Sequence, residues 1–314
     1  MTITVLVPTY RRPGDLARCL KALKRQRRIP DEVLVVVRDQ DTETRDLLTD
    51  LDPGPLVLRT VTVQKPGTVA ARNAGLAAAK GDVIAFTDDD AAPRPDWLAR
   101  MEEHFRSDPR VGGVGGRDWE YRGGRVNDGA QEVVGKVQWF GRMISNHHLG
   151  VGGPREVDML KGGNSSYRSV ALRGLRFDER LRGEGPQPYE DYFFSMSLKR
   201  AGWKLVYDPA VAVDHYASPR PAGHRVTEET RHGFSSAAAT NRVHNQTLML
   251  LEHLPPPQRL VFALYAVLVG ARSGYGLLQW FRFFPSEGEL AGKKLRAALR
   301  GRLDGWKTWR RHRS

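Results

Sequence analysis

The chain has 314 residues, 40% hydrophobic and 27% charged, with one cysteine and a formal net charge of +13. This length allows one large core or a core with an appendage, and the composition is that of an ordinary soluble globular protein. A single cysteine excludes an intramolecular disulfide.

In chain order, a first strand is expected at residues 3–7, then Pro13-Gly14-Asp15 and an apolar-periodic helix through Leu23. Cys19 shares one helical face with Leu16, Leu20 and Leu23 and reads as a small core residue. No charged-then-apolar leader precedes the first strand, so a cytoplasmic location is the expectation. A second strand spans 32–37 and ends at Asp39. A third apolar stretch covers 56–63, an alanine-rich helix 68–79 stops before Gly81, and a strand follows at 82–86. Strands separated by helices of this length indicate a parallel sheet with helices on both faces.

Asp88-Asp89-Asp90 stand directly after that last strand. Alone, a triple Asp is most simply a solvated acidic turn. Here the strand and the break at Ala91-Ala92-Pro93-Arg94-Pro95 place it at a carboxyl end, where open α/β sheets bind ligands. Three adjacent like charges repel, and a hard divalent cation relieves that repulsion through oxygen coordination. The pattern therefore points to a metal held against a phosphorylated ligand. A helix opens at Asp96-Trp97-Leu98.

Residues 111–180 are glycine-rich and suggest mixed or antiparallel strands with long loops. A loop at 183–188 precedes a helix over 189–200. Beyond His215, helices are expected at 228–254, 259–281 and 289–303, with Pro255-Pro256-Pro257 as a rigid break. A domain transition near Pro219–Pro221 divides the chain into 1–218 and 219–314. Residues 287–314 carry nine Lys/Arg against three Asp/Glu, and Trp280, Trp306 and Trp309 lie among or near them. Basic and indole side chains together suit an anionic membrane interface better than nucleic acid, which is not expected as a partner. The uncharged run 260–271 is too short to span a bilayer. The expectation is peripheral contact at the inner face of the plasma membrane; a plain helical appendage is the simpler alternative.

Taken together, Val7-Pro8-Thr9-Tyr10-Arg11-Arg12, the strand end at Asp39, Ala71-Arg72-Asn73-Ala74-Gly75, Asp88-Asp89-Asp90, Gly163-Asn164, Phe177-Asp178-Glu179 and Glu190-Asp191 resemble the family 2 glycosyltransferases, in order and over residues 3–216. The resemblance implies the GT-A fold, a Rossmann-like mixed sheet flanked by helices, here with a C-terminal helical appendage. It also implies a nucleotide-sugar donor, an inverting transfer to an acceptor hydroxyl and a divalent metal, Mn2+ or Mg2+. The acceptor is a glycan, a lipid-linked sugar or a small molecule.

The resemblance also assigns residues. Pro8, Thr9, Tyr10, Arg12, Asp39 and Arg72 would face the nucleotide, with Asp88 near the ribose, Asp89 beside it and Asp90 on the metal. His215 matches a third metal-ligand position; a lone histidine after a strand is otherwise structural. Gly163 and Asn164 would let the backbone approach donor or acceptor, or simply form a turn. Asp191 is the candidate general base, kept ionised by the positive end of a helix dipole, and Glu190 orients the acceptor. The bland reading of Glu190-Asp191 is a favourable first helical turn. His147-His148 look like a metal pair, but adjacent residues rarely share an ion and read as loop. One departure is Arg38-Asp39-Gln40-Asp41, where the family often has Asp-Asp-Gly-Ser, which leaves the nucleobase open. A retaining GT-A transferase and a nucleotidyltransferase are the alternative enzymes. The non-enzyme alternative is a basic membrane- or nucleic-acid-binding protein with an inactive sheet domain.

Overall fold

The computed structural model describes residues 1–183, 185–216 and 233–312, the Arg122 side chain excepted. These fall into two compact units. The first holds Met1–Lys136, Ile144–Phe177 and 191–216; the second holds Val137–Met143, Asp178–Glu190 and 233–312. The transition expected at Pro219–Pro221 lies outside the described residues.

In the first unit β1 (Ile3–Thr9), α1 (Pro13–Leu23), β2 (Glu32–Arg38), α2 (Thr42–Asp50), β3 (Leu58–Val63), α3 (Thr68–Ala78) and β4 (Val83–Thr87) alternate, all but α2 as the periodicity predicts. Then follow β5 (Ala91–Pro93), α4 (Trp97–Ser107), the long β6 (Val111–Arg122) and β7 (Arg125–Val126). β8 (Lys136–Val137) and β9 (Met143–Ile144) form a small separate ladder. β10 (Arg155–Glu156), β11 (Asn164–Arg168), α5 (Glu190–Arg200) and β12 (Lys204–Tyr216) complete the sheet, which runs β10-β12-β6-β11-β4-β1-β2-β3. β1 pairs parallel with β2 and β4, whereas β11 is antiparallel to both β4 and β6, so the sheet is mixed.

The period-two alternation of strands assigns the two faces. Val5, Val7, Val33, Val35 and Val37 join Leu16, Cys19, Leu20 and Leu23 of α1 and Trp97, Leu98, Met101 and Phe105 of α4 in one core. Leu6 and Val36 point the other way, toward α3. There Gly75 is required, because a Cβ at that position would stand 2.3 Å from Leu6 Cδ1 and 2.9 Å from Val36 Cγ2. α2 escaped the sequence reading because it is polar almost all round, with only Thr44 buried. It is held by its cap, the Asp41 carboxylate accepting from the Thr44 amide at 3.2 Å, and by Leu47 and Leu48, half-buried against the core.

β5 decides the site. It pairs antiparallel with β12 so that His215 lies opposite Ala91 and Asp214 opposite Ala92. The Tyr216 amide then donates to the Asp90 carbonyl at 2.9 Å. A residue far along the chain is thereby brought beside the acidic triple.

The second unit holds α6 (Ser236–His253), α7 (Pro256–Leu268), β13 (Gly270–Ala271), β14 (Gly274–Tyr275), α8 (Leu277–Glu287) and α9 (Glu289–Arg311). The single helix expected over 259–281 is instead two helices around a β13–β14 hairpin. Gly270 takes a φ of 72°, which a helix cannot continue through, and Arg302 donates to the Tyr275 and Gly274 carbonyls at 2.7 and 2.8 Å to hold the turn. α6 begins at a Ser235 cap, and the expected start at 228 lies outside the described residues. α9 runs beyond the expected 303, and its Gly301 and Gly305 let it lie against α6; Cβ atoms there would meet the Thr240 and His244 carbonyl oxygens at 2.6 and 2.7 Å. Among the described residues no helix is long and apolar enough to cross a membrane.

Replacing Gly75 with Val should cost about 1–3 kcal/mol through overpacking against Leu6 and Val36. The check is a lower urea midpoint with unchanged slope.

Candidate active site

The three consecutive carboxylates turn to three different sets of partners. Asp88 is the most open, and Arg72 from α3 stands 3.3 Å from it. Asp89 is fully buried; it accepts from the Thr9 hydroxyl at 2.8 Å and pairs with Arg12 at 2.5 Å. Burial pushes its carboxyl up to about 7 against the pull of Arg12. Asp90 takes the other Arg12 nitrogen at 2.7 Å and His215 Nε2 at 3.2 Å. Burial opposes its charge, but His215 and Arg12 together hold it down at about 2. Asp89 is thus a correction: wholly inside, it anchors the turn and offers no surface to a donor.

The loop after β1 is shaped by Asp41. Its carboxylate accepts from the Arg11 amide at 2.5 Å while Arg11 sits at a φ of 52°, the left-handed region. Arg12 is thereby aimed at the acidic turn. The guanidinium groups of Arg11 and Arg38 stand over the Tyr10 ring at 5.2 and 5.7 Å. Asp39, at the end of β2, lies 3.7 Å from Arg38. The departure at Arg38 therefore places a cation on the ring of a nucleotide-facing candidate. Pro8 stays within β1, opposite Val36.

Gly162 and Gly163 have a definite purpose. A Cβ on Gly162 would stand 2.1 Å from Arg72 Nη1, and one on Gly163 would stand 2.4 Å from Asp88 Oδ2. The pair leaves room for the Arg72–Asp88 contact. Asn164 follows the glycine pair at the start of β11. Its side chain turns into the core, accepting from Trp97 Nε1 at 2.8 Å and donating to the Arg117 and Val211 carbonyls at 3.2 and 3.0 Å.

Asp191 is held by both oxygens. The Gly162 amide donates to Oδ2 and the Tyr192 amide to Oδ1, each at 2.8 Å. Burial raises its pKa from the usual carboxylate range, while Arg72 and these two amides oppose the rise. Desolvation outweighs these donors in direction, so the carboxyl is less acidic than a solvated Asp. Glu190, the first residue of α5, is buried, and its amide donates to the Gln187 carbonyl at 3.2 Å.

His215 lies between two acids, with Asp90 on Nε2 and Asp118 3.9 Å from Nδ1. Burial works against its cation, yet Asp118 and Asp90 hold its pKa up at about 10. Asp118 is itself fully buried and pairs with Lys161 Nζ at 2.6 Å. The sequence reading missed Asp118 and Lys161. The available signal was a charged pair, Arg117-Asp118, directly after the glycine- and valine-rich run 111–116 of the same strand. Asp88, Asp90 and His215 each offer a ligand atom, all within 4.8 Å of one another. Two carboxylates and an imidazole are a donor set suited to Mn2+ or Mg2+.

With this geometry in place, the model for glycosyl transferase family 2 matches residues 4–177. The chain belongs to glycosyl transferase family 2. The transferase is 34% identical over 319 residues to the succinoglycan biosynthesis protein ExoM of Rhizobium meliloti (strain 1021), covering 96% of this chain and 90% of ExoM. Against other curated relatives it spans far less, 35% of one and 30% of another. Among solved structures it is similar to S. aureus TarS 1-349 in complex with UDP-GlcNAc (TM-score 0.60, 17% identity, 100% of this chain and 92% of that one). It is also similar to the mannosyltransferase PcManGT from Pyrobaculum calidifontis in complex with GDP-Man and Mn2+ (TM-score 0.55, 16% identity, 97% and 87%). The fold is that of the GT-A glycosyltransferases, as the motifs led one to expect.

His147 lies in the loop between β9 and β10, as expected, but its side chain is not a solvated one. It is buried, its Nε2 lies 3.1 Å from the Met159 carbonyl, and its ring stacks on Tyr192 at 5.7 Å. Burial lowers its pKa from 6.5 to about 4. A depressed histidine pKa gives stability that is complete above about pH 6.5 and is lost as pH falls toward 4. The loss is about 3 kcal/mol by the acid end. His147→Gln should flatten this acid loss in urea midpoints measured between pH 7 and pH 4.

Proposed function

We propose that this glycosyltransferase moves a sugar from a nucleoside-diphosphate donor to an acceptor hydroxyl with inversion. Asp88, Asp90 and His215 would hold a divalent cation, Mn2+ or Mg2+, and Asp191 is the general base. The observation that carries the reading is the chain Asp88–Arg72–Gly162–Asp191: the open acid of the triple, the cation beside it, the glycine that cation packs on, and the carboxylate which that glycine's amide holds.

When bound, the cation neutralises the charge that develops on the departing diphosphate. The protein's own groups do the rest. Asp191 is fixed by two amides and has a raised pKa, so it accepts the acceptor's proton while the oxygen attacks the anomeric carbon. Glu190 orients the acceptor. Arg72 balances Asp88 and sits where donor phosphate charge would arrive. Pro8, Thr9, Tyr10, Arg12 and Asp39 form or support the floor beneath the nucleoside. Gly163 allows the close approach on the donor side.

A nucleotide-sugar donor is supported by the UDP-GlcNAc and GDP-Man complexes of the structural neighbours, and Mn2+ by the second of these. The acceptor is a saccharide of cell-envelope polysaccharide biosynthesis, a reading in line with ExoM being a succinoglycan biosynthesis protein. A glycan, a lipid-linked sugar and a small molecule all fit that acceptor class. Peripheral membrane attachment from the cytoplasm through the basic C-terminal region belongs to the same proposal.

Asp191→Asn should lower transfer by about 10²–10⁴-fold while leaving nucleotide affinity unchanged. Calorimetry beside a turnover assay checks it, and a parallel loss of binding would remove the role as base. Asp90→Ala should abolish the manganese-dependent part of UDP or GDP binding, read by calorimetry with manganese and again with chelator. Unchanged metal-dependent binding would overturn the ligand assignment.

A further inference from the structure

In the second unit, α7 and α8 leave rows of large apolar side chains in water. On α7, Leu260 and Leu264 are 65% and 53% exposed, and Leu268 continues the same i, i+4, i+8 row. Phe262 and Ala266 are buried on another face of the helix. On α8 no residue is buried, Phe281 is 74% exposed, and Leu277, Leu278 and Phe284 are exposed with it. A water-soluble surface rarely carries apolar area of this kind without a partner.

The surrounding charge is predominantly positive; the exceptions nearby are Glu287 at the end of α8, paired with Lys294 at 2.8 Å, and Glu289 at the start of α9. Residues 256–286 contain Arg259, Arg272 and Arg282 and no carboxylate. α9 adds the exposed Lys293, Arg296, Arg300, Lys307 and Arg310, with Trp306 exposed among them.

We infer that the α7–α8 helices insert their apolar rows into the interfacial layer of an anionic bilayer, with the arginines and the α9 cations meeting lipid phosphates. This deepens the membrane reading proposed above for the C-terminal region, moving the anchor from the basic tail to the apolar rows that precede it. Leu and Phe on one side and Lys/Arg on the other are the division an interfacial helix uses. Helices too short to span a bilayer lie on it instead.

The test is co-sedimentation of the full chain with vesicles of phosphatidylcholine alone and of phosphatidylcholine mixed with phosphatidylglycerol. Wild type should bind the anionic vesicles and leave the neutral ones. Leu264→Glu and Phe281→Glu should each weaken binding on the order of tenfold, the loss expected when a fully burying apolar side chain is removed. Arg296→Gln with Arg300→Gln should weaken binding and reduce its salt dependence. Donor hydrolysis, unchanged in all these variants, shows that the fold survives and keeps this test separate from that of the catalytic proposal. No binding by wild type, or equal binding by the Glu variants, would overturn the inference. So would a wild-type dimer in ultracentrifugation that the Glu variants convert to monomer without any vesicle binding, which would give the rows to a second copy.

Discussion

Three carboxylates on successive residues cannot share one patch of protein unless their charge is answered, and much of the first unit is arranged to answer it. Asp88 turns to Arg72, Asp89 to Arg12 and Thr9, and Asp90 to Arg12 and His215. These partners come from the end of β1, the start of α3 and the end of β12. Each is brought by a different backbone device: the Asp41-held loop, the glycine floor under Arg72, and the β5–β12 pairing. Removing any one device would leave a buried or half-buried acid uncompensated.

Arg72 and Asn73 show how one short motif serves both the fold and the site. Arg72 faces Asp88, and its guanidinium lies over the Phe86 and Phe177 rings at 5.8 and 5.6 Å. The Asn73 side chain donates to the Phe177 carbonyl and accepts from its amide at 2.9 and 2.8 Å. Gly75 lets the same helix lie close on the sheet. Phe177 stacks in turn on Phe194 of α5, the helix that carries Asp191, with centroids 4.1 Å apart. The acidic triple and Asp191 are thus linked through packed side chains as well as through Gly162.

The alternating strands and helices of the first hundred residues were legible because apolar periodicity there is strong and both faces of β1, β2 and β4 are covered. The ends of these strands and the acidic triple were legible for the same reason. Other features depend on tertiary context that no local pattern records. α2 is mostly polar, with one cap and only Leu47 and Leu48 turned to the core. Asp118 and Lys161 matter only because β6 and β12 run side by side. Asn164 and Asp89 sit within site motifs, yet their side chains are spent on the interior, and burial is not a property of a motif. The α7–α8 break needed recognition that Gly270, Gly274 and Gly276 together form a hairpin rather than interrupt a helix.

The β5–β12 pairing also has a consequence in time. His215 emerges from the ribosome 125 residues after Asp90, whereas Arg12 and Arg72 precede the acidic triple. A nascent chain that folds from its N-terminus can therefore close the β1–β4 ladder and quench Asp88 and Asp89 with cations already synthesised. Asp90 receives its second partner only when β12 is laid beside β5 and β6. The imidazole is the last piece of the site to arrive, so a nascent chain stalled before β12 would carry the acidic turn without the means to complete it.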